Sequence, residues 1–580
     1  MSLLHEQPGP IEAGYQAALQ ALVRDEAIPR LYRRDPTLWA GDAATARSVR
    51  SRLGWLDAPG WALERIPELR AFAEGLRHRG VSRVLLLGMG GSSLAPEVFA
   101  RVLEPAPGAP SLDVLDSTVP AAVRSVEGRA RLDRTFVLVA SKSGQTIETL
   151  SQYRYFRARM GAAPDRTLPA PFAVITDPGS DLERLAQADG IPAVFRNPAD
   201  IGGRYSALSY FGLVPAAARA VHLETLLQRA AEARSECMRP GSENSALRLG
   251  ALLGAAAKAG RDKLTLLAPP ELRPIGYWIE QLVAESTGKS GTGIIPVEGE
   301  PIGSPSSYGG DRVFVLLALE REPSQHLSSF LEELRHAGAP VLTMTLEDRD
   351  SVGDALYRWE VATAIAGAVL GINPFDEPNV QESKENTARL LSAFEREGTM
   401  HPGLPRTREG EVEVYAGDAV WEQLTAGAPA HPGLERILGR FLALARPGDY
   451  VSLLGYLERT AGAEASFGRM RRLVRDALHV PVLQGYGPRY LHSIGQLYKG
   501  GPATGLFLIF TEKDAADLEI PGARCTFGTL RSAQALGDLA ALETRGRPAL
   551  RLHLTSGADS GLPVVAEAAE RALVALAAGA

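Results

Sequence analysis

The chain has 580 residues, of which 45% are hydrophobic and 22% charged, and its formal net charge is −6. That length predicts two to four domains, the composition argues against extensive disorder, and the charge offers no basic field for nucleic acid or anionic lipid. Two cysteines, Cys237 and Cys525, are too few for a disulfide framework or a Cys-based zinc site.

The N-terminus has no basic region followed by an apolar core, so no secretory signal is expected. No apolar run reaches membrane-spanning length, Val313–Leu319 being short and flanked by charges. A soluble, cytoplasmic, multi-domain protein is therefore expected.

Residues 1–78 carry helix-like patterning broken at Pro29, Pro36 and Pro59. From Arg83 onward short apolar runs alternate with amphipathic stretches. Val84–Leu87, Thr135–Ala140 and Phe172–Thr176 read as buried strands, each followed by a helix. Strands separated by helices imply parallel pairing with right-handed crossovers, hence a doubly wound α/β unit over 79–235. The same texture returns in strands at Lys263–Ala268, Val313–Ala318 and Val341–Thr345, with helices at Pro274–Ser286, His326–His336 and Leu356–Leu370. These predict a second α/β unit over 255–395. A polar, Gly/Pro-rich stretch at His401–Ala430 reads as a boundary. Beyond it, Tyr450–Gly455, Val480–Leu483 and Gly505–Phe510 predict strands of a C-terminal α/β region over 430–580.

Five segments carry chemistry. Gly88-Met-Gly-Gly-Ser-Ser93 lies between a strand and a helix, where glycines let a ligand approach the backbone and the helix start offers free N–H groups. Its spacing is not the dinucleotide fingerprint. Ser141-Lys-Ser-Gly-Gln-Thr146 again follows a strand and supplies three hydroxyls, more than an N-cap needs, so it reads as a phosphate cradle. A nucleotide triphosphatase loop is absent from it. In Gly202-Gly-Arg-Tyr-Ser206 a glycine pair lets Arg204 reach a cleft, as a permanent cation for an enediolate or a phosphate. Gln281 and Glu285 stand four apart on one helix face and form a candidate base with a hydrogen-bonding neighbour. Asn373-Pro-Phe-Asp-Glu-Pro-Asn379 is turn chemistry leading into a helix that carries Lys384.

Taken in order over about residues 80–390, GMGGSS, SKSGQTIET, GGRYS, QLVAESTGK and NPFDEPNVQESK resemble the successive signatures of phosphoglucose isomerases. The resemblance implies two sugar-isomerase (SIS) domains and reversible interconversion of glucose 6-phosphate and fructose 6-phosphate, a step of glycolysis and gluconeogenesis. It also implies no metal or organic cofactor, and a homodimer with its sites at the interface. By the same resemblance Gly91 and Ser92 contact sugar, and Ser141, Lys142, Ser143 and Thr146 hold phosphate. Arg204 steadies the enediolate, Gln281 orients substrate, Glu285 shuttles the proton and Lys384 assists at the ring oxygen.

Two departures stand out. The ring-opening histidine of the family follows the base motif closely, but Gly299–Tyr308 has no histidine. A matching local sequence comes much later, Arg489-Tyr-Leu-His-Ser-Ile-Gly-Gln-Leu-Tyr-Lys-Gly500, so the C-terminal region is expected to deliver His492, from the same or a neighbouring subunit. The second departure is Glu377, where many family members carry glutamine; a carboxylate near an anionic substrate must be turned away or paired. The C-terminal part also resembles the isomerase portion of fused transaldolase–phosphoglucose isomerase proteins, in GYGPRYLHSIGQLYKGG and FGTLRSAQALGD. A transaldolase barrel has no room here, so that activity is not carried over. The competing readings are a sugar-phosphate sensor that binds without turnover, and an isomerase that also accepts mannose 6-phosphate.

Overall fold

The structure, a computed structural model, describes residues 3–39, 41–129, 131–161, 171–427 and 432–579. Sixteen strands make three sheets: β1 (Leu3–Gln7), β2 (Arg83–Gly88), β3 (Ser111–Leu115), β4 (Thr135–Ala140), β5 (Phe172–Thr176), β6 (Ala193–Arg196), β7 (Lys263–Leu267), β8 (Ile295–Val297), β9 (Arg312–Leu319), β10 (Val341–Leu346), β11 (Thr407–Glu409), β12 (Val412–Tyr415), β13 (Tyr450–Tyr456), β14 (Val482–Tyr486), β15 (Gly505–Glu512) and β16 (Ala549–Leu554).

The first sheet, β3-β2-β4-β5-β6, is parallel throughout. Its strands are apolar on both faces. Val84, Leu86, Phe136 and Leu138 enter one core, and Leu85, Leu87, Val137 and Val139 enter another. Two buried faces require helices on both sides, which is the doubly wound α/β arrangement expected from the sequence. Numbered by chain order within the sheet, the strands run 2-1-3-4-5, which puts a topological switch between β2 and β4. Both the Gly88–Ser93 and Ser141–Thr146 loops leave the carboxyl ends of these two strands.

The second sheet, β1-β10-β9-β7-β8, has the parallel order 2-1-3-4 in β8-β7-β9-β10. Its remaining strand corrects the helical expectation for residues 1–78. Leu3–Gln7 is extended and pairs antiparallel with β10 (Leu4 opposite Met344), covering an edge that would otherwise expose unpaired peptide groups. The first two sheets share one core, which also takes Trp278, Ile279, Leu282 and Val283 from the Arg273–Thr287 helix.

The third sheet, β11-β12-β16-β15-β13-β14, repeats the order 2-1-3-4 in β14-β13-β15-β16. The polar stretch at His401–Ala430 does not simply separate units: it supplies β11 and β12, and β12 pairs antiparallel with β16. Residues 428–430 of that stretch, like residues 1, 2 and 40 of the N-terminal segment, lie outside the described residues. The third sheet does not stand apart. Phe527, Leu530 and Ala533 of the Phe527–Thr544 helix fill the outer core of the first sheet, and β8 shares a core with Tyr450, Leu454 and Phe507. No helix among the described residues is long and apolar enough to cross a membrane.

Candidate active site

At the carboxyl end of β4 the chain turns through Ser141–Thr146 into the Ile147–Gly161 helix. Ser141 Oγ lies 3.0 Å from Thr146 Oγ1 and accepts from the Gly144 amide at 3.1 Å, while the Gln145 amide donates to Ser143 Oγ at 3.2 Å. Gly144 has φ +75°, and a Cβ there would sit 2.1 Å from the Leu182 nitrogen, so only glycine closes this turn. Hydroxyls and a helix N-terminus together suit a phosphate. Lys142 differs from the expectation of a free phosphate ligand. Its ammonium is ion-paired with Asp177 and donates to the Ala199 carbonyl at 3.0 Å. Gln145, Thr146, Lys384 and His492 line one cavity of about 330 Å³, with Glu148 and Gln534 in its wall. Lys384 is exposed at the rim, on the Val380–Glu397 helix.

Glu285 lies on the Arg273–Thr287 helix with its side chain 12% exposed. Gln281, one turn earlier, donates to Glu285 Oε2 at 3.0 Å, and Arg204 Nη1 is 3.4 Å from Oε1. Burial pushes the Glu285 carboxyl above its ordinary value; Arg204 opposes this and the neighbouring Glu377 adds to it. Gln281 Oε1 is buried with no hydrogen-bond partner among the described residues, an acceptor available to a sugar hydroxyl.

Arg204 is 3% exposed and heavily committed. Its Nε donates to Ser286 Oγ at 2.8 Å, and Nη2 donates to the carbonyls of Pro374 and Asp376 at 2.8 and 3.0 Å. Nη1 donates to Glu377 Oε2 at 3.0 Å, so the carboxylate that departs from the family pattern is paired. Burial would raise Glu377, but the guanidinium outweighs it and holds that carboxyl below the ordinary value. Lys289, on the same motif as Glu285, clamps the opposite side of the turn through Asn373 O at 2.8 Å and Asp376 Oδ1 at 2.7 Å.

His492 comes from the third unit of the same chain, in the Arg489–His492 turn after β14. Its backbone carbonyl accepts from Gln281 Nε2 at 2.9 Å, and its Nε2 lies 2.9 Å from Glu148 Oε1. Burial would raise Glu148, but the imidazole beside it keeps that carboxyl below its ordinary value. Two glycines make this approach possible. A Cβ on Gly90 (φ +55°) would lie 2.6 Å from the His492 carbonyl oxygen, and one on Gly91 would lie 2.0 Å from the Gly203 carbonyl oxygen. The Gly88–Ser93 loop, the Arg204 loop and the His492 turn therefore meet backbone to backbone. Gly91 is buried in that contact, while Ser92 beside it is partly open. Gln496 completes the joint. It accepts from the Asn379 amide at 2.8 Å and donates to Gly288 O at 2.9 Å and Asn379 Oδ1 at 2.8 Å, tying the base helix to the Lys384 helix.

The residues singled out from the sequence fall into two groups around the β2/β4 switch point. Ser141, Ser143, Thr146, Lys384 and His492 gather around the β4 loop and its cavity, and Arg204, Gln281 and Glu285 around the Arg273–Thr287 helix, with Gly91 and Ser92 beside them. Sequence reasoning missed Glu148 and its second donor Gln534, whose Nε2 lies 2.7 Å away. Glu148 stands inside the SKSGQTIET motif, and that placement was the available signal. Gln534 stands inside FGTLRSAQALGD, where only the resemblance of that segment marked it.

A parallel α/β sheet whose switch-point loops bring a hydroxyl-rich turn near a buried glutamate beside an arginine accords with the sugar-phosphate isomerase class. The Phosphoglucose isomerase family profile matches residues 69–298. The chain is 31% identical to a probable glucose-6-phosphate isomerase of Natronomonas pharaonis, over 53% of this chain and 78% of that one. It is 30% identical to a glucose-6-phosphate isomerase of Symbiobacterium thermophilum, over 62% of this chain and 89% of that one. Among solved structures, a hypothetical protein of Thermus thermophilus superposes with a TM-score of 0.58 at 25% identity, covering 67% of this chain and all of that one. The chain belongs to the phosphoglucose isomerase family.

Proposed function

We propose that the protein interconverts glucose 6-phosphate and fructose 6-phosphate through a cis-enediol, with Glu285 carrying the proton between C2 and C1. The observation that carries this reading is the buried Glu285 carboxyl held between Gln281 and Arg204. A base that must both accept and return one proton works best near neutral pH, and burial moves a carboxyl in that direction. Arg204 offers a fixed positive charge where the enediolate develops. The phosphate is assigned to Ser141, Ser143, Thr146 and the start of the Ile147–Gly161 helix, with Lys142 fixing the loop through Asp177. Ring opening is assigned to His492, with Glu148 orienting its imidazole and Lys384 acting from the opposite rim.

The homodimer implied by the resemblance is proposed as an assembly of complete sites, since His492 reaches Glu148 and Gln281 within a single chain. Two unpaired cysteines accord with action in the cytoplasm. The test is a coupled assay for glucose 6-phosphate formed from fructose 6-phosphate. Glu285→Gln is expected to lower kcat by ~10²–10⁴-fold while substrate still binds. Binding without turnover in the wild type would instead identify a sensor. In the same assay, His492→Ala is expected to lose rate on the cyclic sugar and keep it on an open-chain substrate; an unchanged cyclic rate removes His492 from the mechanism.

A further inference from the structure

Near the start of the Arg273–Thr287 helix a separate cavity of about 240 Å³ opens between the second and third sheets. Four guanidinium groups line it, each from a different element: Arg273 at the start of the base helix, Arg459 after β13, Arg471 on the Ala461–Leu478 helix and Arg489 after β14. Glu280 and Glu298 complete the wall, with Tyr277, Tyr486 and Ser493.

The charges divide unevenly. Arg459 is paired with Glu464 at 2.7 Å, and Arg489 with Glu97 and with Asp116 at 2.8 Å. Arg273 and Arg471 have no ion pair among the described residues. Arg471, 4% exposed, donates only to backbone carbonyls, those of Val482 at 2.8 Å, Gly299 at 2.9 Å and Glu298 at 2.6 Å. Among the described residues Glu298 Oε1 is sealed with no hydrogen-bond partner, and Glu280 accepts from Ser493 Oγ at 3.2 Å. Four guanidiniums gathered around one cavity repel one another, and an anion among them offsets that repulsion.

We infer that this cavity is a binding site for a small multivalent anion of the phosphate-ester class, held by Arg273, Arg459 and Arg471 with Glu280 and Glu298 facing it. Burial, with Glu298 beside it, pushes Glu280 up to about 8 against the opposing Arg489, Ser493 and Arg471. Burial raises Glu298 to about 7 against Arg471, Arg459, Arg273 and Arg489. Tyr277, Tyr498 and Glu464 are the other titratable groups facing the pair. With both carboxyls protonated the cavity is more positive by two charges than with both ionised. An incoming anion raises both carboxyls further, so binding takes up protons and weakens as pH rises through about 7 and about 8.

Sulfate is the probe, because its charge does not change in this range. Calorimetric titration of the full chain at pH 6.5 and pH 8.5, in buffers of different ionisation heat, reads affinity and proton uptake together. The wild type is expected to bind sulfate with proton uptake and to lose about tenfold in affinity at the higher pH. Arg273→Ala, an exposed change, is expected to weaken sulfate by about tenfold with hexose phosphate turnover intact. Glu280→Gln/Glu298→Gln is expected to abolish the proton uptake. Ser143→Ala/Thr146→Ala, which disables the phosphate cradle, is expected to leave this binding in place. Sulfate binding lost in the cradle variant but unchanged in the other two places the anion in the active site and overturns the inference. Absence of any sulfate binding, or proton uptake that persists without Glu280 and Glu298, overturns it as well.

Discussion

Glu377 shows how one carboxylate alters its neighbours. It shares Arg204 Nη1 with Glu285, at 3.0 and 3.4 Å respectively, and so takes part of the cation that would otherwise lower the base. Removing its charge leaves Glu285 alone with Arg204, and the base then ionises at lower pH. In Glu377→Gln the acid limb of the kcat/KM profile for fructose 6-phosphate is expected to move to lower pH, while Glu285 keeps its role. A limb that stays in place would show that the two carboxyls do not communicate. The residues of the site differ in how far they can be read from sequence. Glycines at positive φ, clustered hydroxyls and an i, i+4 Gln/Glu pair leave signatures because few other residues fill those positions. Glu148 and Gln534 are marked only by standing inside motifs, because a helical glutamate or glutamine is ordinary until the fold brings it within 2.9 Å of His492 or 2.7 Å of Glu148.

At the scale of elements, the third unit is fastened to the first two by short polar struts. Arg489 reaches Glu97 and Asp116 of the first unit, and Gln496 bridges the end of the base helix and the start of the Lys384 helix. Gln496 is fully buried, so truncating it strands the Gly288 carbonyl and the Asn379 amide away from water. Gln496→Ala is expected to cost roughly 2–4 kcal/mol in chemical denaturation and to lower kcat through the displaced Lys384 and His492. Unchanged stability would mean that water enters the joint and replaces the amide. Strands such as β4, β5 and β9 are legible as continuous apolar runs because helices cover both faces. Ser111–Leu115, Ala193–Arg196 and Thr407–Glu409 are not, since a short strand at a sheet edge mixes polar and apolar residues without a clear period.

For the molecule as a whole, three sheets with one strand order meet at a single site, and every residue assigned to it lies on one chain. Specific activity is therefore expected to stay constant on dilution into the nanomolar range, and a loss that follows subunit dissociation would contradict a self-contained site. The strand Leu3–Gln7 carries a consequence in time. Its partner β10 lies roughly 340 residues further along the chain. At ribosomal rates of about 5–20 residues per second, β1 emerges on the order of 20–70 seconds before the strand it must pair with. For that interval the segment has no sheet to join, and the second sheet, which the base helix packs against, cannot be completed early. The order of synthesis thus makes Leu3–Gln7 wait for a partner made long after it.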